Sequence, residues 1–314
     1  MNERFYRALY RIRRVEEEVA KAYPSDKIKS PVHLSIGQEA VAVGVCEALK
    51  PEDIVFASYR GHAAYLAKGG DLNRMIAELY GRVTGCAKGK GGSMHLIDVA
   101  HGVMGSSAVV GTTIPNAAGY AYALKLRGSD ALVAAFFGDG ATDEGVFYES
   151  LNFAALKRLP MIFICENNSY AIHTHQNQRQ AISNIAERAA SFGIPAEVIA
   201  DDVIAVYSAI DKAAKAIRSG AGGPFFFECM TYRWKEHVGP GEDYHLGYRS
   251  REEATKWIDN DQVRVAGERL RAPRRASIEA EVEAEIADAF AFAENSPFPS
   301  ADELWKDVYG ASTA

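Results

Sequence analysis

What the 314-residue chain lacks narrows it first. Its four cysteines, Cys46, Cys86, Cys165 and Cys229, are scattered with no C-x-x-C pair, which excludes a zinc ribbon and argues against a disulfide framework. Positive charge is not in excess. The 35 Lys and Arg face 41 Asp and Glu, a formal charge of −6, so nucleic acid is not expected as the main partner. Long apolar runs are missing too: Ala131–Phe137 and Met161–Cys165 are among the longest and fall far short of a bilayer, so no membrane partner is expected. The opening MNERFYRALYRIRR is charged and has no apolar h-region. No secretory signal is therefore expected, and a reducing cytoplasm is the simplest compartment. No internal repeat or low-complexity tract occurs. What remains is 48% apolar and 24% charged, the profile of a globular chain that can bury a substantial core.

Phe5, Leu9, Ile12, Val15 and Val19 share one face of a helix over 4–22, stopped by Pro24 and Ser25. Further helices are expected over 38–49 and 71–83, while the glycine-rich stretch 85–93 can only be a loop. In the middle, Ala131–Phe137 runs into Gly138 and reads as a strand buried on both faces. Gly145–Leu156 has helical spacing, Pro160 ends it, and Met161–Cys165 is a second buried strand. This is a β-α-β unit whose strands should be parallel neighbours. Val203–Ile217 then reads as a helix and Pro224–Cys229 as a strand. In the tail, a helix over 278–293 precedes a short segment to Tyr309.

Ligands of an open parallel sheet bind beyond the carboxyl ends of its strands. Gly138-Asp139-Gly140 lies at one such end and Asn167-Asn168 at the next, with Asp139 and Asn168 29 positions apart. A carboxylate and a carboxamide are hard oxygen ligands. With a backbone carbonyl they could form half of an octahedral Mg²⁺ shell, leaving the rest to phosphate oxygens and water. The flanking glycines admit backbone N–H groups to a phosphate, and the following helix directs its positive end there. Singly, each motif reads as ordinary turn chemistry; at consecutive strand ends they read as a site. Two nucleotide patterns fail. The dinucleotide fingerprint meets Asp143 at its third glycine, and Gly85–Gly91 lacks the Walker spacing and its Lys-Ser/Thr.

GDG followed about thirty residues later by NN resembles the thiamine diphosphate and Mg²⁺ motif. The surrounding FFGDGATDEGVFYESLNFAALKRLPMIFICENNSYAI is similar to the alpha subunit of the decarboxylating first component of 2-oxo acid dehydrogenase complexes, pyruvate- or acetoin-dehydrogenase-like. HLSIGQEAVAVGV at 33–45, SYRGH at 58–62, GCAKGKGGSMH at 85–95, VVGTTIPNAAG at 109–119 and TYRW…YRSREE at 231–253 extend the likeness almost end to end. The resemblance implies an α/β class, with a three-layer α/β/α thiamine diphosphate-binding fold and a mainly parallel sheet. A helical arm over 1–30 and a helical tail over 266–314 would flank a cofactor-binding domain over 31–265.

Matched by position, the resemblance implies Asp139, Asn168 and the carbonyl of Tyr170 as metal ligands. Gly140 and Ala141 match backbone contacts to the diphosphate, and Tyr59 and Arg60 match the pair that binds its oxygens. Ala108 matches a backbone contact to the aminopyrimidine, and Val110 the apolar prop that keeps the cofactor bent. His237 matches the active-site histidine, while His62 and His33 match residues near the substrate channel. His173 and His175 read as solvated or pocket-lining, His95 as a hydrogen-bonding structural residue, and the charge-rich 272–288 as a solvated helix face.

The chain departs from the family pattern in five places. Lys235-Glu236-His237 stands where pyruvate-type relatives often have His-x-His, and Val238 replaces a serine, so phosphorylation there is impossible. Pro31 replaces an aromatic residue, and both the 237–247 loop and 198–203 differ. The cofactor anchors are untouched. The resemblance further implies decarboxylation of a small 2-oxo acid and acyl transfer to a lipoyl-bearing acyltransferase. It also implies a beta subunit carrying the catalytic glutamate, as an alpha2beta2 assembly without which this chain is inactive. The alternative keeps the cofactor but makes the enzyme a carboligase or acyl transferase for another acceptor, such as a sugar derivative. From other classes, Asp143 weighs against a nicotinamide oxidoreductase, and the intact Asp139, Arg60, Asn168 and His237 weigh against a non-catalytic assembly subunit.

Overall fold

The computed structural model describes residues 2–220 and 222–307. In chain order they form α1 (Asn2–Ala22), α2 (Glu39–Ala48), β1 (Ile54–Ser58), α3 (His62–Ala67) and α4 (Leu72–Leu79). Next come β2 (Val103–Ser107), α5 (Thr113–Leu126), β3 (Val133–Gly138), α6 (Gly145–Lys157) and β4 (Met161–Asn167). A hairpin of β5 (Tyr170–Ala171) and β6 (Thr174–His175) leads into α7 (Ile185–Ala190), β7 (Ala196–Ile199), α8 (Val203–Arg218) and β8 (Phe225–Met230). The chain closes with α9 (Arg251–Asp259), α10 (Gln262–Glu268) and α11 (Ala272–Asn295). Residues 308–314, including Tyr309 of the expected tail segment, lie outside the described residues.

Six strands make one sheet in the order β2-β1-β3-β4-β8-β7, every pair parallel. The expected β-α-β unit is there, with Val133 opposite Met161 and Gly138 opposite Glu166. Side chains alternate along β3 and β4. Val133, Ala135, Phe137 and Phe163 pack under α5, α6 and α7, while Ala134, Phe136, Ile162 and Ile164 pack under α2 and α8. Burial on both faces is why these strands read as unbroken apolar runs.

A third core joins α1, α4 and α11 to the outer side of α2. The 272–288 segment keeps a largely exposed charged face, as expected, while Ile278, Val282 and Ile286 pack inward. Its acids meet α1, with Glu279 accepting from Tyr6 and Glu283 from Tyr10, while Glu281 and Glu285 pair with Arg7 and Arg11. The glycine-rich loop folds around buried Glu78 of α4. That carboxylate accepts the backbone N–H groups of Ala87, Gly89, Gly91 and Gly92 at 2.7–3.1 Å. The four cysteines are free and buried, and no described helix is long and apolar enough to cross a membrane.

Candidate active site

From β1 the chain winds outward to β2, then returns past β1 to place β3, β4 and β8 on the other side. The order reverses between β1 and β3, and the carboxyl ends at such a reversal are where this architecture holds ligands. A cavity of about 280 Å³ opens there. The turn after β1 contributes Tyr59 and Arg60, and the segment after β2 contributes Ser107, Val109, Val110 and Gly111. Gly138–Ala141 enter from the end of β3, Glu166 and Asn168 from β4, Tyr170 and Ile172 from the hairpin, and His237 from beyond β8. Gly140 is needed at its position, since a Cβ there would sit 2.9 Å from that of Ala171.

The charges of this wall are incomplete. Among the described residues Arg13, Arg60, Arg233 and Arg249 are buried. Arg13 pairs with Glu39 and Asp261, while Arg233 and Arg249 share Asp243. Arg60 has no carboxylate in ion-pair reach among those residues. It donates to two carbonyls, Leu34 at 2.6 Å and His237 at 3.1 Å, and burial pulls its pKa down to about 10. Burying a cation without an ion-paired anion is costly, which marks this guanidinium as a candidate binding group.

Asp139, 1% exposed at its side chain, pairs with Arg179, which also pairs with Asp143. Burial still raises the Asp139 carboxyl above its ordinary value, against the pull of Arg179. The Asn168 carboxamide donates to Gln38 at 3.1 Å, and its oxygen accepts from the Tyr170 N–H at 3.1 Å. The Tyr170 phenol turns away to Glu253, so Tyr170 meets the cavity with its main chain. A carboxylate, a carboxamide and a peptide segment make an oxygen donor set suited to a hard divalent cation. Among the described residues no three His, Cys, Asp or Glu side chains gather to hold a metal by themselves.

The His237 ring lies 5.1 Å from that of His33 and 5.8 Å from that of Tyr59. Burial, reinforced by Arg60, pushes both imidazoles down to about 3, so they are neutral hydrogen-bonding groups at physiological pH. Burial also lifts the Glu166 carboxyl to about 7, opposed by Arg60.

The family profile described as "Dehydrogenase E1 component" matches residues 7–302. The chain belongs to this family. An E1 component alpha subunit of pyruvate dehydrogenase from Rhizobium meliloti (strain 1021) is 40% identical over 313 residues, covering 96% of this chain and 88% of that one. Its counterpart from Zymomonas mobilis is 38% identical over 312 residues, covering 97% and 87%. The alpha subunit of the acetoin:2,6-dichlorophenolindophenol oxidoreductase of Bacillus subtilis (strain 168) is 37% identical over 311 residues, covering 97% and 92%.

In this E1 family member, Tyr59, Arg60, Val110, Asp139, Gly140, Ala141, Asn168, Tyr170 and His237 share one cavity wall. Ala108 sits between the lining residues Ser107 and Val109 without lining it, and His33 stands beside His237 and Tyr59. His62, expected near the substrate channel, does not line the cavity. It is fully buried at the start of α3, with Nδ1 3.0 Å from Glu16 and Nε2 2.8 Å from Ser93. Both ring nitrogens are engaged in fastening α1 to the loop before β2, which leaves none for a substrate. His95 is exposed and, among the described residues, forms no side-chain hydrogen bond. His173 packs on Tyr248 and His175 on Tyr170, outside the cavity lining. Sequence reasoning missed Gln38, Glu166 and Arg179. Glu166 adjoins the NN pair and Gln38 lies inside the quoted 33–45 motif, so both had a signal; Arg179 had none.

Proposed function

We propose that this chain is the alpha subunit of a thiamine diphosphate- and Mg²⁺-dependent 2-oxo acid dehydrogenase, working with a beta subunit in an alpha2beta2 assembly. The observation that carries the reading is Arg60, a buried cation without a carboxylate, on the same wall as the oxygen groups of Asp139, Asn168 and Tyr170. A diphosphate would supply the anion that Arg60 lacks, and its divalent ion would take the oxygen donors. Arg60 and Tyr59 would hold the phosphate oxygens, a task suited to a planar guanidinium. Asp139, Asn168 and the Tyr170 carbonyl would hold the ion. Gly140 and Ala141 would present backbone to the phosphates.

When bound, thiamine diphosphate supplies the carbanion that adds to a 2-oxo acid and the electron sink for its decarboxylation. The chain's own residues bind, orient and exclude water. His237, neutral and on the wall, would hydrogen-bond to the reacting oxygen or relay a proton, with His33 behind it. Val110 would support the bent cofactor and Ala108 would offer backbone to its pyrimidine ring.

Around the mouth, Val109, Val110, Ile172 and Val238 are exposed apolar side chains, from 42% to 63%. Exposed apolar side chains gathered at a cavity mouth are a feature of protein contacts, which supports a beta chain closing over the cofactor. The relatives' names, dehydrogenase and oxidoreductase subunits, favour the dehydrogenase over the carboligase reading. A cytoplasmic location and a lipoyl-bearing acyltransferase as acceptor complete the proposal. The test is to co-express the chain with its beta partner and assay short 2-oxo acids with and without lipoylated protein. Cofactor-dependent decarboxylation with lipoyl reduction is expected from the pair and none from the single chain. No lipoyl reduction with any of these acids would sink the dehydrogenase reading.

A further inference from the structure

We infer that Arg179 is a positioning residue that aims Asp139 at its divalent cation; this deepens the proposed function and rests on it. Arg179 follows the β5–β6 hairpin, and its side chain is 12% exposed. All three of its nitrogens are engaged, and in different places. Nε donates to the Thr174 carbonyl at 3.2 Å, Nη1 to Asp143, and Nη2 to Oδ2 of Asp139. Asp139 lines the cavity and Arg179 does not. The guanidinium therefore holds the carboxylate by Oδ2, and among the described residues no other side chain donates to Oδ1.

Gln180, the next residue, locks the same turn. Its Nε2 donates to Thr142 at 2.9 Å, to Asp143 at 2.6 Å and to the Asp139 carbonyl at 3.3 Å. The hairpin that carries Tyr170 is thereby fastened to the strand end that carries Asp139, so two of the three expected ligands are fixed relative to each other. A lysine could supply the charge but not three bonds in one plane. A ligating carboxylate stripped of its outer partner loses about 10–100-fold in metal affinity.

The experiment uses the co-expressed full-length pair, with Mn²⁺ as the metal probe followed by paramagnetic resonance and inorganic pyrophosphate as the anion probe followed by calorimetry. Arg179→Met should weaken Mn²⁺ binding about 10–100-fold while metal-free pyrophosphate binding, which depends on Arg60, stays unchanged. Arg179→Lys should recover part of the loss. Unchanged or tighter Mn²⁺ binding in Arg179→Met, or loss of both probes together, would overturn the inference. Should the methionine variant not fold, unchanged Mn²⁺ affinity in Arg179→Lys overturns it equally. Asp139→Asn is the reference: if it binds Mn²⁺ as the wild type does, the metal-site reading itself falls. If Asp139→Asn loses Mn²⁺ and Arg179→Met does not, only the role of Arg179 falls.

Discussion

Arg13 and Arg60 are equally buried, each 7% exposed, yet their surroundings are opposites. Arg13, on α1, meets Glu39 of α2 and Asp261 ahead of α10, and its guanidinium lies 4.2 Å over the Trp234 ring. Arg60 meets two neutral carbonyls and an open cavity. A cation that serves architecture comes with its counter-charges from the same chain. One that serves a ligand leaves a place for them. The same contrast separates the carboxylates: Asp243 is enclosed by two arginines, whereas Glu166 stands on the cavity wall with no ion-pair partner among the described residues.

Four substitutions press on this contrast. Arg13→Met should be the most damaging to the fold, because it strands two acids; a loss of about 3–5 kcal/mol is expected from the denaturant midpoint. Arg60→Met should do the reverse. Anion affinity should fall by about 2–5 kcal/mol, read as pyrophosphate binding by the assembled pair, while the thermal midpoint holds or rises. A fold that weakens as much as it does in Arg13→Met would erase the distinction.

Asp201 refines the architectural side. It lines the gap beside Arg13, one of its oxygens has no partner, and burial together with Glu39 raises it to about 8. The unfolded chain ionises this group near 3.8, so the folded state holds the extra proton. Stability must therefore fall as pH climbs from about 4 towards about 8. Asp201→Asn should raise the thermal midpoint more at about pH 8.5 than at about pH 5, and equal shifts would contradict the assignment. The smallest effect belongs to the surface ladder. Arg11→Ala removes a half-exposed pair with Glu285 and should cost less than about 1 kcal/mol, shrinking further in salt.

The heart of the fold was legible because β3 and β4 are buried on both faces and flank one amphipathic helix. β2 and β7 were not legible: they are four or five residues long and largely uncovered, so no unbroken apolar run announces them; β1 was overlooked although Ile54–Ala57 is a short buried apolar run. Helix α11 begins at Ala272, with Pro273 in its first turn, well ahead of the expected 278. Its acids are substantially exposed, as expected, but no local window shows their partners on α1, which lie some 270 positions away. Within the site, the motif residues converge as the resemblance implied. Arg179 stayed hidden because only the folding of the hairpin brings it to Asp139. His62 stays off the cavity lining because α3 begins at that residue and its ring nitrogens are taken up by Glu16 and Ser93.

The glycine-rich turn illustrates how an amide cradle can be furnished from within. Four main-chain donors that could have greeted a phosphate already have a resident carboxylate in Glu78, supplied by the polypeptide itself. Its shape is therefore a matter of synthesis rather than of metabolite supply. With those four donors taken, the turn presents a closed amide cradle, in contrast to the open cavity at the strand ends.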